Sequence, residues 1–265
     1  MCVDEIERKQ QYAINVDAVG KLIDICINKE IELVQISTIS ISGESIDGAS
    51  HILTENDFYI NQVSDNDYVT SKFNAEGIIL EAVAKNNLQA KIFRLGNLSA
   101  RHSDGVFQIN ENTNAFLNYL RSMVKFGIIS HEQNKLSFEF SPVDLVSKAL
   151  IKVLLSNNSA IIYHLYNNKE GKMQTVIKSL GNTINKQLSV VDDIVYTKRR
   201  KQLEEENNLD ALLGLVHYET SNTETISNKS TNSKTTNVLL KLGFEWSEPD
   251  EKYIEQFLKT LQNPI

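Results

Sequence analysis

Between Ile31 and Leu95 the chain holds two short apolar runs with one long amphipathic run between them, an order that leaves few folds open. The first run, Ile31-Glu-Leu-Val-Gln-Ile-Ser37, is nearly continuous apolar, as a strand buried on both faces is. The third, Ala90-Lys-Ile-Phe-Arg-Leu95, reads as the next strand. From Tyr68 to about Lys85 the apolar residues Ala75, Ile78, Ile79, Ala82 and Val83 recur at a helical period. Upstream, Ile14, Val19, Leu22, Ile23 and Cys26 do the same and predict a helix from Ala13 to Asn28 facing a sheet. Strands alternating with helices predict an α/β fold with a parallel sheet.

Chemistry clusters where such a sheet puts it. The first strand ends in Ser37-Thr38-Ile39-Ser40-Ile41-Ser42-Gly43, a run of hydroxyls. In open α/β sheets, ligands bind outside the carboxyl ends of the strands. Tyr68 and Lys72 stand four apart and share one helix face. An ammonium beside a phenol lowers its pKa, so that the phenol gives or takes a proton near neutral pH. A Thr at the neighbouring strand end can hold the substrate oxygen. A phenol, an ammonium and a hydroxyl together suit a nicotinamide enzyme. The same spacing also fits a plain helix with a half-buried Tyr and a solvated Lys.

The rest of the chain is legible as elements. Ser45 to Asp67 is polar and irregular, as a loop over an active site is. Helices are predicted near Asn112 to Phe126 and near Pro142 to Leu155, the second with Pro in its first turn. Ile161 to Tyr166 reads as a strand, and Met173 to Leu180 and Tyr196 to Leu215 as helices. Glu219 to Asn237 is rich in Ser, Thr and Asn and predicts a mobile loop. Short helices near Thr236 to Leu242 and Glu251 to Leu261 close the chain.

Six runs, in this order and spacing, resemble the extended short-chain dehydrogenase/reductases, and within them the thioester reductase domains of nonribosomal peptide synthetases. NVDAVGKLIDIC (Asn15 to Cys26) resembles the helix before the catalytic strand, and VQISTISISG (Val34 to Gly43) that strand. YVTSKFNAEGIILEA (Tyr68 to Ala82) resembles the catalytic helix. IFRLGNLSARHSDGVFQIN (Ile92 to Asn110) resembles the strand and loop under the nicotinamide. FSPVDLVSKALIKVL (Phe140 to Leu154) and LLKLGFEW (Leu239 to Trp246) resemble a substrate-side helix and the closing segment. Carboxylic acid reductases and fatty acyl-CoA reductases are close relatives of this group.

The resemblance implies roles. Thr38, five residues before Gly43, matches the active hydroxyl, with Ser37 and Ser40 as fallbacks. Tyr68 matches the catalytic Tyr, and Lys72 the Lys that binds the cofactor ribose. Asn15 matches an Asn that shapes the proton relay, and Leu95, Gly96, Asn97 and Leu98 match the loop lining the nicotinamide. Some acyl-CoA reductase relatives carry Pro where this chain has Leu95. The implied cofactor is NADPH. The implied partner is a carrier domain presenting a thioester on phosphopantetheine, and the implied reaction is reductive release as an aldehyde or an alcohol.

The front departs from the pattern. A dinucleotide-binding fold opens with a strand, a Gly-rich turn and a helix whose N–H groups meet the pyrophosphate. The closest glycines here, Gly43 and Gly48, do not lie in such a turn. The expected architecture is a partial Rossmann-like, doubly wound parallel sheet lacking its first Gly-rich βαβ unit, over residues 1–107. A smaller, mostly helical substrate-side region follows over 108–265. The chain then reads as a fragment of a longer synthetase, as half of a split enzyme, or as a non-catalytic module that docks a carrier domain. A sugar-nucleotide epimerase or dehydratase, or an acyl-CoA reductase, stays open within the same superfamily.

Composition narrows the partners. A net charge of -7 and the lack of a basic stripe with interleaved aromatics argue against nucleic acid. Lys198-Arg199-Arg200-Lys201 is a candidate docking patch for an acidic carrier, or simply a solvated helix face. Two cysteines, Cys2 and Cys26, make no disulfide framework, and five scattered histidines show no metal-ligand spacing. No apolar run approaches a membrane span and the first residues are not signal-like, so the default expectation is a soluble, cytoplasmic protein.

Overall fold

The computed structural model describes residues 5–108, 114–184, 187–206 and 226–259. In chain order its main elements are α1 (Glu5–Tyr12), α2 (Ala18–Lys29), β1 (Leu33–Thr38), α3 (Asp67–Asn86), β2 (Ala90–Leu95), α4 (Ala115–Phe126), α5 (Val143–Leu154), β3 (Ile162–Leu165), α6 (Met173–Ile184), α7 (Asp193–Glu205), α8 (Ser233–Lys241) and α9 (Glu251–Leu258). They fall into two compact units. One takes Met1–Gly96, Val146–Tyr166 and Glu224–Glu245; the other takes Asn97–Leu145, Asn167–Thr223 and Trp246–Ile265.

The first unit is built on a parallel sheet in the order β1-β2-β3. Leu33 pairs with Ala90 and Thr38 with Leu95, while Ile162 pairs with Ile92 and Leu165 with Leu95. All three strands therefore end level with one another. Val19, Ile23 and Cys26 of α2 and Ala75, Ile79 and Ala82 of α3 bury against Leu33, Ala90, Ile92 and Ile162. Each fully buried Leu or Ile in such a layer contributes roughly 1.5–3 kcal/mol.

Local signals set the helix ends. The Asn66 side chain accepts from the Tyr68 and Val69 N–H groups and starts α3. Asn87 ends it in the left-handed region at φ 56°, and Glu30 ends α2 at φ 55°. The helix expected over Ala13 to Asn28 is interrupted: a five-residue π-helical turn, Ala13–Asp17, joins α1 to α2. β1 also differs from expectation. Leu33, Gln35 and Ser37 are buried, but Val34 and Ile36 are 38% and 42% exposed. Its continuous apolar run thus belongs to a strand covered on one face, at the edge of the sheet.

The second unit gathers α4, α6, α7 and α9 around Leu117, Leu120, Met123, Val176, Leu180, Tyr196, Ile254 and Phe257. Phe140 meets the rings of Tyr253 and Phe257 edge-on, at 6.3 and 5.9 Å between centroids. Small strand pairs (128–130 with 189–191, 137–139 with 170–172, 98–99 with 141–142) tie the loops between these helices.

Two expectations shift at their ends. The helix expected from Tyr196 starts at Asp193, and its expected continuation beyond Glu206 lies outside the described residues. Of the stretch expected as a loop, 219–225 lies outside the described residues. Ile226–Ser227 pairs with Glu44–Ser45, Lys229–Ser230 pairs with Ile52–Leu53, and α8 begins at Ser233. Backbone pairing overrides a polar composition there. The Asn228 side chain helps, accepting from the His51 N–H and donating to the Ser42 carbonyl.

Candidate active site

The carboxyl end of β1 runs into a 3-10 turn, Ile39–Ser42, that opens at Thr38. Thr38 Oγ1 accepts from the Ser40 N–H at 3.2 Å and donates to Ser40 Oγ at 3.1 Å. Both hydroxyls thus sit together at the strand end. Ser37 is on the buried face with Leu33 and Gln35. Gly43 closes the turn at φ 54°, where a Cβ would meet the Val63 carbonyl oxygen at 2.3 Å. Only glycine permits that approach.

Tyr68 and Lys72 lie in the first two turns of α3. Tyr68 is 43% exposed, and the Lys72 ammonium lies over its ring, 5.8 Å from the centroid. Lys72 Nζ also donates to the Ile36 carbonyl at 3.2 Å, two residues before Thr38. The expected lowering of the phenol pKa does not appear. Burial pushes the Tyr68 phenol up and the Lys72 ammonium down. The reason is placement: a cation over a ring face meets the quadrupole rather than the hydroxyl.

Asn15 stands in the π-helical turn, and its Nδ2 donates to Ser71 Oγ at 3.0 Å. Ser71 Oγ in turn donates to the Tyr68 carbonyl at 2.8 Å. Asn15 is thereby tied to the backbone of the residue that carries the phenol. Leu95 lies beside Thr38 in the sheet ladder, and the Gly96 N–H donates to the Leu165 carbonyl. In the second unit the Asn97 N–H donates to Glu139 Oε2 at 2.9 Å, and Leu98 pairs with Ser141. Burial pushes the Glu139 carboxyl up.

Sequence reading missed a buried network below this site. Arg94 in β2 and Glu76 in α3 are both fully buried and paired through Nη2–Oε2 at 2.7 Å and Nε–Oε2 at 3.1 Å. Arg94 Nη1 donates to the Asp57 carbonyl and meets His164 Nε2 at 3.0 Å. Burial, then the Arg94 charge, hold the His164 pKa down at about 4. The available signal was a charge inside a strand otherwise read as apolar: a buried Arg requires a partner.

The candidate basic patch lies on α7. Arg200 pairs with Glu204 at 3.2 Å, and Arg199 approaches Glu206 at 4.0 Å, so part of its charge is met locally. Lys198 and Lys201 line a shallow cleft with Asp193, Ile194 and Thr197.

The residues present fit one end of a nicotinamide dinucleotide. Lys72 and the hydroxyls at the β1 end suit a ribose and a substrate oxygen. Among the described residues, no Gly-rich turn joins a strand to a helix as a pyrophosphate cradle would. No helix among the described residues is long and apolar enough to cross a membrane.

Comparison with known proteins agrees with the geometry. A thiolation-reductase di-domain from an archaeal non-ribosomal peptide synthetase superimposes with a TM-score of 0.82 at 28% identity, over 95% of this chain and 54% of that one. The reductase domain of the aureusimine biosynthetic cluster gives 0.80 at 22% identity, over 95% and 67%. The terminal R domain of the myxalamid PKS-NRPS pathway gives 0.66 at 19%, over 88% and 58%. The chain thus spans about half to two thirds of the length of these structures. No curated protein matches it. The family model described as male sterility protein, an NAD-binding family, matches residues 5–175. The match spans more than half of the chain, so the chain belongs to the male sterility protein family, an NAD-binding family within the extended short-chain dehydrogenase/reductases.

Proposed function

We propose that this chain carries the catalytic and substrate-side part of an NADPH-dependent reductase that releases an acyl or peptidyl thioester from a phosphopantetheine-bearing carrier domain as an aldehyde. The observation that carries this reading is the placement of Lys72 against both the Tyr68 ring and the last turn of β1, beside Thr38. The likeness to a thiolation-reductase di-domain at 28% identity supports the carrier as partner.

When bound, the cofactor would supply the hydride that reduces the thioester carbonyl carbon. Tyr68 and Thr38 hydrogen-bond the carbonyl oxygen as negative charge builds on it, the logic of an oxyanion hole. The Tyr68 phenol, held protonated by burial, donates its proton to that oxygen. Lys72 holds the ribose. Asn15, through Ser71, steadies the turn of α3 that presents Tyr68. The hemithioacetal then collapses to aldehyde and free thiol.

The test is a titration with NADPH, followed by the fluorescence of the cofactor, with the chain alone and with a Gly-rich nucleotide-binding unit added. Binding that weakens in Lys72→Ala is expected. Tyr68→Phe is expected to keep cofactor binding and lose reduction of a carrier-bound thioester by about 10²–10⁴-fold, the usual range for a lost general acid. Unchanged turnover in Tyr68→Phe overturns the assignment.

A further inference from the structure

β2 is the middle strand of its sheet, and the peptide that leaves it joins Gly96 to Asn97. In open α/β sheets this is where ligands bind, beyond the carboxyl ends of the strands. Glycine at 96 lets that peptide turn either way, so its direction is set by what holds it. A side chain sets it here. The Asn97 N–H donates to Glu139 Oε2 at 2.9 Å, and the Asn97 carbonyl accepts from the Ser141 N–H at 3.1 Å. Glu139 Oε1 accepts from the Ser141 hydroxyl, whose oxygen accepts from the Asn167 N–H at 2.9 Å. Asn167 is buried and anchored in turn: its side chain donates to the Ser247 carbonyl at 2.9 Å and accepts from the Lys169 N–H at 3.0 Å. Hydrogen bonds to a carboxylate are stronger than those between neutral groups, so Glu139 holds the Asn97 N–H firmly.

In a trans peptide the N–H and the C=O point in opposite directions. The described residues contain no cis peptide, so the Gly96 carbonyl points away from Glu139. Among the described residues nothing donates to that carbonyl. The peptide therefore offers an acceptor, not a donor, to whatever binds beyond β2. The chain belongs to an NAD-binding family, and the carboxamide of a nicotinamide ends in an NH2 donor. We propose that Glu139 is a positioning residue for the cofactor: it takes the Asn97 N–H and so aims the Gly96 carbonyl at the carboxamide NH2 of the nicotinamide. The proposal rests on the reductase reading given above. Its consequence is selective. Loss of Glu139 frees the peptide to turn, and that costs only the ligands that carry the NH2.

The test is a calorimetric titration with NADPH and with its reduced 3-acetylpyridine analogue, in which a methyl replaces the NH2. It uses the natural protein in the form that binds NADPH, alone or with the Gly-rich unit added. NADPH is expected to bind about tenfold tighter than the analogue, the worth of one hydrogen bond. Glu139→Ala is expected to lose that preference, with NADPH weakened about tenfold and the analogue unchanged. Glu139→Gln keeps an oxygen for the Asn97 N–H and is expected to restore it. The Asn97 amide resonance, read without cofactor, is expected to move in Glu139→Ala and to stay near its place in Glu139→Gln. If near-UV circular dichroism shows Glu139→Ala misfolded, Glu139→Asp, one methylene shorter, replaces it with the same expectations. An unmoved Asn97 resonance, a preference that survives, or equal weakening of both ligands overturns the role of Glu139 and leaves the reductase reading standing. Equal binding of the two ligands by the natural protein does the same. NADPH binding by neither form sinks the reductase reading, and this role with it.

Discussion

Arg94 and Glu76 meet with both side chains fully buried, joining the middle strand of the sheet to the helix that carries Tyr68 and Lys72. A pair of this kind adds little net stability over an apolar pair, because two charges must be desolvated. It ties α3 to β2 eight residues after Tyr68.

Breaking that pair is therefore expected to cost far more than replacing it. Glu76→Ala should lower the unfolding free energy by about 3–5 kcal/mol, since Arg94 is left buried and unpaired. The double change Glu76→Leu with Arg94→Met should recover most of the loss. Urea unfolding of the single and double variants checks this; equal losses in both would contradict it.

His164 makes the same network pH-sensitive. Its pKa is about 4 in the folded protein against an ordinary 6.5, lowered by burial and then by Arg94. Above pH 6.5 it is neutral in both states and costs nothing. Between 6.5 and about 4 the unfolded chain takes up the proton and the folded protein does not, so stability falls as pH falls. The full loss amounts to about 3 kcal/mol at about 1.4 kcal/mol per pH unit. Urea midpoints at pH 7 and pH 4.5 should separate more in the natural protein than in His164→Asn. An equal separation would show that other groups carry the dependence.

Asn66 starts α3 two residues before Tyr68, accepting from two N–H groups at 3.0 and 3.2 Å. Asn66→Ala is expected to cost about 1 kcal/mol, and Asn66→Asp nearly nothing. Thermal unfolding of the two variants provides the comparison. A loss in Asp equal to that in Ala would rule out the cap as the cause.

Gly43 sits at positive φ with the Val63 carbonyl where a Cβ would go. Gly43→Ala should destabilise by about 1–3 kcal/mol and disturb the hydroxyl turn at Thr38 and Ser40. The readout is the chemical shift of the Ser40 N–H, which bonds Thr38 Oγ1 in the natural protein. An unshifted resonance at full stability would contradict the steric argument.

Much of the first unit was legible because periodicity reports burial. Ala75, Ile79 and Ala82 recur at helical spacing and are buried, and the β2 run Ala90–Leu95 is buried as its apolar character implies. At β1 the apolar run predicts burial on both faces, and the structure covers only one. Val34 and Ile36 are apolar but exposed, and hydropathy says what a face suits, not what covers it. Pairing of Ile226–Ser227 and Lys229–Ser230 with segments about 180 residues away leaves no local pattern, so the polar run carries only a loop signal.

The sequence by itself determined the βαβ order, the i and i+4 placement of Tyr68 and Lys72, and the hydroxyl run after β1, because each is set by near neighbours along the chain. Only the tertiary structure decided that Lys72 lies over the Tyr68 ring rather than at its hydroxyl, that Arg94 finds Glu76 and His164, and that Asn15 reaches Ser71. Those contacts join residues that the chain keeps apart. Their energies depend on burial and direction, which exist only once the helices have packed on the sheet.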